Sequence, residues 1–172
     1  MGVNTQQFIP LISYPVKENL DKISTLRYSG VNEDGNRELE KFCKFMYETE
    51  LSDLQERFTQ TFDMNPDTCL DIGWHIYGEA YQRGVFMVKI REMLRQQGVM
   101  ETTELPDHLT HILAVLGGLP WEDQKQFVQK YVLSALRKIK KGFEGTDNPY
   151  QNAIGFLLIF FQSHYEIKEG EV

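Results

Sequence analysis

The sequence predicts an all-α fold: one domain over residues 1–172, built as a single-domain bundle of about seven or eight helices. Three observations carry this. Apolar residues recur at close to 3.6-residue spacing through most of the chain. The six prolines fall at or just before positions where a helix can begin, where a missing N–H is harmless. No stretch alternates apolar and polar residues at period two for long enough to form a sheet.

Taken in order, Leu39, Phe42, Cys43 and Met46 make a first apolar stripe, and Leu51, Leu54, Phe58 and Phe62 a second. Asn65-Pro66 then reads as an N-cap followed by proline at the first helical position. A helical hairpin follows, turning at Gly78, and Phe86, Ile90, Met93 and Leu94 give the inward face of its second arm. Leu105-Pro106 reads as another start, placing Asp107 and His108 at the second and third helical positions. Leu105, Leu109, Ile112, Leu113 and Leu116 form its stripe. Pro120-Trp121-Glu122-Asp123 opens a longer helix with carboxylates in its first turn, where they complement the dipole. Val128, Tyr131, Ala135, Leu136 and Ile139 face inward, and Lys138, Lys140 and Lys141 precede Gly142, a basic last turn with a C-cap glycine. Asn148-Pro149 starts the last helix. Joints are expected at 30–36, 98–103 and 142–147, with a frayed tail at 168–172.

Composition excludes several classes. An apolar share of 41% with 25% charged residues is that of a globular domain large enough to bury its own core. The net charge of −7 argues against nucleic acid, whose phosphates call for Lys and Arg, and favours a basic partner. The first residues lack the basic and apolar segments of a secretory signal, Gln6 stands where a myristoylation signal needs Ser or Thr, and the run 153–161 is too short to span a bilayer. The expectation is a cytoplasmic protein without membrane insertion. Cys43 and Cys69, far apart, read as reduced thiols.

Candidate chemistry is sparse. His108 and His111 lie one turn apart with Asp107 beside them, yet only Glu104 and His75 offer themselves as further metal ligands. Asp107 and His108 are sequence neighbours, and adjacent helical residues do not face each other, so a catalytic dyad there is geometrically poor. Gly117-Gly118 lacks the Lys and Ser or Thr of a phosphate-cradling loop. His75 with Glu79, and Glu79 with Arg83, could pair along a helix. Trp74, Tyr77, Tyr81 and Trp121 could offer stacking surface, though aromatics at this spacing usually pack the core.

The string Thr61-Phe62-Asp63-x-Asn65-Pro66-x-Thr68-x-Leu70, then His75-x-Tyr77-Gly78-Glu79-Ala80-x-x-Arg83-Gly84-x-x-Met87-Val88, then Glu104-Leu105-Pro106-Asp107-His108-Leu109, resembles the nitrate reductase delta-subunit (NarJ) family. That family belongs with the TorD-like molybdoenzyme assembly chaperones. Leu11-Ile12-Ser13-Tyr14-Pro15 is similar to the opening of its members, and the likeness is strongest over the motif-bearing region 51–116. Gly73, inside a presumed helix where glycine costs roughly 1 kcal/mol against alanine, and Ala80, where members often carry a hydroxyl, depart from the pattern.

The resemblance implies a TorD-like helical chaperone, not an enzyme, with no metal or cofactor of its own. Its partner would be the apo catalytic subunit of a nitrate-reductase-type molybdoenzyme, held by its N-terminal leader while the molybdenum cofactor is inserted before membrane docking or export. The acidic balance is compatible, since carboxylates can receive the leader's Arg or Lys while a groove takes its apolar face. Glu104, Asp107 and His108 are the expected polar corner of the peptide site, with His75, Tyr77, Glu79 and Arg83 contributing from the facing hairpin. Competing readings are a small metal- or nucleotide-dependent helical enzyme and a generic helical interaction module. Glycine joints at Gly30 and Gly98 allow either a monomer or a domain-swapped homodimer.

Overall fold

The computed structural model describes residues 4–26, 31–168 and 170. Of the joint expected at 30–36 only Gly30 lies outside the described residues; Asn32 caps the helix that takes up 33–36, its side chain accepting from Gly35 N, while most of the 168–172 tail lies outside the described residues. Nine α-helices are seen among the described residues: α1 (Lys17–Thr25), α2 (Glu33–Glu48), α3 (Leu51–Phe58), α4 (Ile72–Tyr77), α5 (Tyr81–Gln96), α6 (Leu109–Leu116), α7 (Trp121–Phe127), α8 (Leu133–Gly142) and α9 (Tyr150–His164). A 3-10 helix, Thr5–Ile12, precedes them. Single π-helical turns, Thr59–Asp63 and Val128–Val132, extend α3 and join α7 to α8. With α7 to α8 counted as one rod, the chain forms eight α-helical rods, in line with the expected bundle.

The centre is α9. Ala153, Ile154, Gly155, Phe156, Leu157, Phe160 and Phe161 are all buried, so this helix is apolar on nearly every side and is packed by α2 and α8. Gly155 allows the close approach: a Cβ there would sit 2.7 Å from the Glu38 carboxylate and 3.0 Å from Lys140 Nζ. The 3-10 helix lies on α6, with Phe8 edge-on to Phe156 and Phe160 and Thr5 Oγ1 donating to Leu113 O at 2.6 Å. Almost all of α6 is buried; only Thr110 reaches partway out.

Several helix boundaries differ from expectation. Asn148 does cap α9, its Oδ1 accepting from Tyr150 N. Asn65-Pro66 begins no helix: Asn65 Oδ1 accepts from Asp67 N and Thr68 N bonds Asn65 O, closing a turn. Pro106 occupies the second position of a turn closed by His108 N on Leu105 O, so Asp107 precedes α6 and His108 is its N-cap. Leu105 is therefore exposed rather than part of the stripe. Gly142 is the last residue of α8, not a left-handed cap. It is small because a Cβ would meet Asp67 O at 2.5 Å, and the positive φ falls at Gly145.

The Thr61-to-Thr68 motif island is a structural latch. Thr61 Oγ1 donates to Arg57 O at 2.6 Å across the π turn and accepts from Asn148 Nδ2 at 2.7 Å, while Thr68 Oγ1 donates to Thr61 O. It ties α3 to the start of α9.

Candidate functional site

Two chain segments cross at the site. Ile72 N donates to Asp107 O at 3.0 Å and Leu109 N to Leu70 O at 2.8 Å, a lone antiparallel bridge that sets the start of α4 beside the start of α6. The hairpin between α4 and α5 turns at Gly78, whose φ of +58° suits glycine, and brings the first turn of α5 over the crossing.

From that turn Arg83 reaches inward. Its Nε donates to Asp107 Oδ2 at 2.9 Å, and its Nη2 to Asp71 Oδ2 at 3.1 Å and Asp107 Oδ1 at 3.4 Å. The guanidinium lies 5.8 Å above the Trp74 ring. Asp107 is fully buried, while the Asp71 carboxylate keeps about a quarter of its surface in solvent. Room for Asp107 is made by Gly73: a Cβ there would lie 2.4 Å from Asp107 Oδ2 and 3.1 Å from Phe86 Cδ1. The glycine that looked like a departure inside a helix is thus the seat of the buried carboxylate.

Two carboxylates share one guanidinium, so the cluster carries a net negative charge. Burial, then the neighbouring Asp107, pushes the Asp71 carboxyl up against the opposing pull of Arg83. Burial works against the charge on Arg83, but its hydrogen bond to Asp107 and the two carboxylates outweigh it and raise its pKa. Glu104 adds a further carboxylate at the rim, half exposed, 4.0 Å from His108 Nε2.

His108 accepts at Nδ1 from Thr110 N at 3.3 Å, which leaves the proton on Nε2. Burial, with the neighbouring His111 adding to it, pulls its pKa down to about 4, so it is neutral at pH 7 and forms no ion pair with Glu104 there. His111 donates from Nδ1 to Leu105 O at 2.9 Å and accepts at Nε2 from Thr102 N at 3.0 Å. Together with Arg91 on Glu101 at 2.8 Å, this ties down the 98–103 joint, read from sequence as a mobile segment. Both histidines spend ring nitrogens on the protein itself, and among the described residues no group of three or more His, Cys, Asp or Glu side chains could hold a metal ion.

Of the seven expected site residues, Glu104, Asp107, His108 and Arg83 meet at one corner. His75 stands on the other side of α4, its Nε2 donating to Cys69 O at 2.7 Å with the sulfur 3.6 Å away. Burial lowers its pKa, and burial likewise raises the Cys69 thiol to about 11, so both are neutral. Tyr77 packs on Phe86, under the arm rather than at the corner. Glu79 is exposed, and among the described residues it forms an ion pair with neither His75 nor Arg83, because Arg83 is turned to the aspartates. The residue missed from sequence is Asp71. Its signal was an acid inside the apolar run Cys69-Leu70-Asp71-Ile72-Gly73.

The sequence model of the nitrate reductase delta subunit family matches residues 30–154. A relative in Bacillus subtilis, described as the nitrate reductase molybdenum cofactor assembly chaperone NarJ, is 28% identical over 153 residues, 86% of this chain and 82% of the relative. The Escherichia coli nitrate reductase molybdenum cofactor assembly chaperone NarJ is 36% identical over 69 residues, 40% of this chain and 29% of its own length. Among solved structures, one described as a redox enzyme maturation protein from Archaeoglobus fulgidus superposes with a TM-score of 0.62 at 18% identity, covering 88% of each chain, a likeness of fold.

Proposed function

Because the chain belongs to the nitrate reductase delta subunit family, we propose that it is a molybdenum cofactor assembly chaperone for a nitrate-reductase-type oxidoreductase and performs no catalysis itself. It takes the apo catalytic subunit by its N-terminal leader. The rim of the Asp71–Arg83–Asp107 cluster receives a basic leader residue. By its kinship with that family its place of work is the cytoplasm.

The observation that carries this reading is the unbalanced charge at the corner: two carboxylates on one arginine, with Glu104 at the edge. A leader Arg or Lys supplies the missing positive charge, and Asp71 and Glu104, the two partly exposed acids, are its contacts. Asp107 and Arg83 hold the corner in shape from beneath. Exposed apolar side chains are close in sequence to these residues: Leu105 beside Glu104, and Tyr81, Val85 and Val88 along the outer face of α5. They offer the leader's apolar side a surface.

The test is calorimetric titration of the chain with a peptide copy of a molybdoenzyme leader. Glu104→Gln should weaken binding roughly fivefold, about 1 kcal/mol for a half-exposed charge contact, and higher salt should weaken it further. Affinity unchanged both by Glu104→Gln and by salt would remove the corner from the leader site.

A further inference from the structure

Four cations crowd the end of α8 in a chain whose net charge is −7: Arg137, Lys138, Lys140 and Lys141. Cations at a helix C-terminus offset its negative dipole end, and that alone would account for their presence. Their disposition goes further. Lys138 and Lys141, three residues apart, share a helix face and line a cavity of about 600 Å³ whose other walls include Trp74 and His75 of α4. Lys138 Nζ donates to His75 O at 2.6 Å, which pins it over the end of α4. Trp74 is fixed by its Nε1 donating to Pro66 O at 3.1 Å. Among the described residues neither lysine makes an ion pair, and Asp67 is the one carboxylate on the cavity wall. Lys141 also borders a second cavity of about 500 Å³ with Arg137 and Lys140, and Arg137 Nη2 is buried there without a hydrogen-bond partner. Such an orphaned guanidinium nitrogen is costly unless an acceptor reaches it.

We propose that the cavity between the ends of α4 and α8 is an anion site that takes a phosphate group, with Lys138 and Lys141 as its charges and Trp74 as a flat wall for the rest of the molecule. Two ammonium groups on flexible stems suit a compact, doubly charged anion with several acceptor oxygens better than a planar carboxylate, which favours an arginine fork. The volume exceeds one phosphate and lies in the range of small-molecule sites. Inorganic phosphate and a phosphate ester share this chemistry, and the ester gains the Trp74 face. The site borders the leader corner at Trp74, over whose ring Arg83 lies, but its charges are its own and it does not rest on that reading.

The full chain carrying Trp121→Phe, which leaves Trp74 as its one tryptophan, is titrated by fluorescence with inorganic phosphate and with phenyl phosphate at constant ionic strength. A saturable change is expected with both, tighter for phenyl phosphate where the ring meets Trp74. Equal affinity assigns the site to the anion alone. Lys141→Gln, which touches no hydrogen bond of the fold, should weaken binding roughly tenfold, as should Lys138→Gln, while Lys130→Gln and Glu104→Gln leave it unchanged. A response that does not saturate, or that survives Lys141→Gln and Lys138→Gln alike with the circular-dichroism spectrum intact, would overturn the proposal.

Discussion

Replacing Gly73 by alanine sets two effects of opposite sign against each other. Helix propensity favours alanine in the first turn of α4 by at most about 1 kcal/mol, and the backbone there is outside the left-handed region, so the new residue meets no φ penalty. Against this, the added methyl would stand 2.4 Å from Asp107 Oδ2 and 3.1 Å from Phe86. An ordinary contact needs roughly an ångström more. Asp107 is fully buried and cannot swing to solvent, so the shift is taken from its 2.9 Å bond to Arg83 Nε. Loosening a buried ion pair costs about 3–5 kcal/mol when one partner is lost outright, and a partial displacement a good share of that. Net destabilisation of about 2–3 kcal/mol is expected for Gly73→Ala, read as a lower urea midpoint at unchanged slope. The double variant Gly73→Ala/Asp107→Ala should show strong coupling, the alanine at 73 costing little once the carboxylate is gone. If Gly73→Ala is neutral or stabilising, the carboxylate is not seated on Gly73 as described.

Two further perturbations follow from the same geometry. His108 takes a proton near 6.5 when unfolded but only near 4 when folded, so between those values the unfolded chain binds more protons. The stability from keeping it neutral is complete above about pH 6.5 and is lost as pH falls towards 4, by up to about 3 kcal/mol; Asp71, whose raised pKa works in the opposite sense, offsets part of it. His108→Asn keeps a capping side chain and should flatten the pH 4–6.5 slope in denaturation curves; a slope identical to that of the parent would show that His108 protonates freely in the fold. Thr61→Val removes the hydroxyl shared by Arg57 O and Asn148 Nδ2, and thermal unfolding should register a loss of about 1–3 kcal/mol, whereas no change would mean the latch is idle.

The bundle was legible because burial follows the apolar period: Val128, Tyr131, Ala135, Leu136 and Ile139 are all inside as their spacing demands. The π turns within these rods were not, since an extra residue in one turn leaves the stripe nearly intact. Three prolines fall elsewhere than at a helix start: Pro10 lies inside the 3-10 helix, and Pro66 and Pro106 sit in turns. Proline's fixed φ suits a helix start and a turn equally; Asn65 closes the turn at Pro66 locally, and the turn at Pro106 leads into the long-range bridge between residues 70–72 and 107–109. That misplacement hid the roles of Asp107 and His108: read as first-turn residues, they were expected at a surface, and the structure buries one on Gly73 and makes the other a cap. Local pairing rules likewise put Glu79 with Arg83, while the tertiary crossing offered Arg83 two aspartates far off in sequence. Gly73 could be noticed from sequence as out of place, but its reason lies 34 residues away at Asp107.

The central claim, that this chain escorts a molybdoenzyme subunit by its leader, is tested most directly by capture of the tagged protein from anaerobically grown source cells and mass spectrometry of what it retains. The account predicts a molybdopterin-binding catalytic subunit of the nitrate reductase type, retained in its apo form and lost when its N-terminal leader is deleted. Retention undiminished by that deletion, or repeated capture of proteins unrelated to molybdenum enzymes, would contradict it.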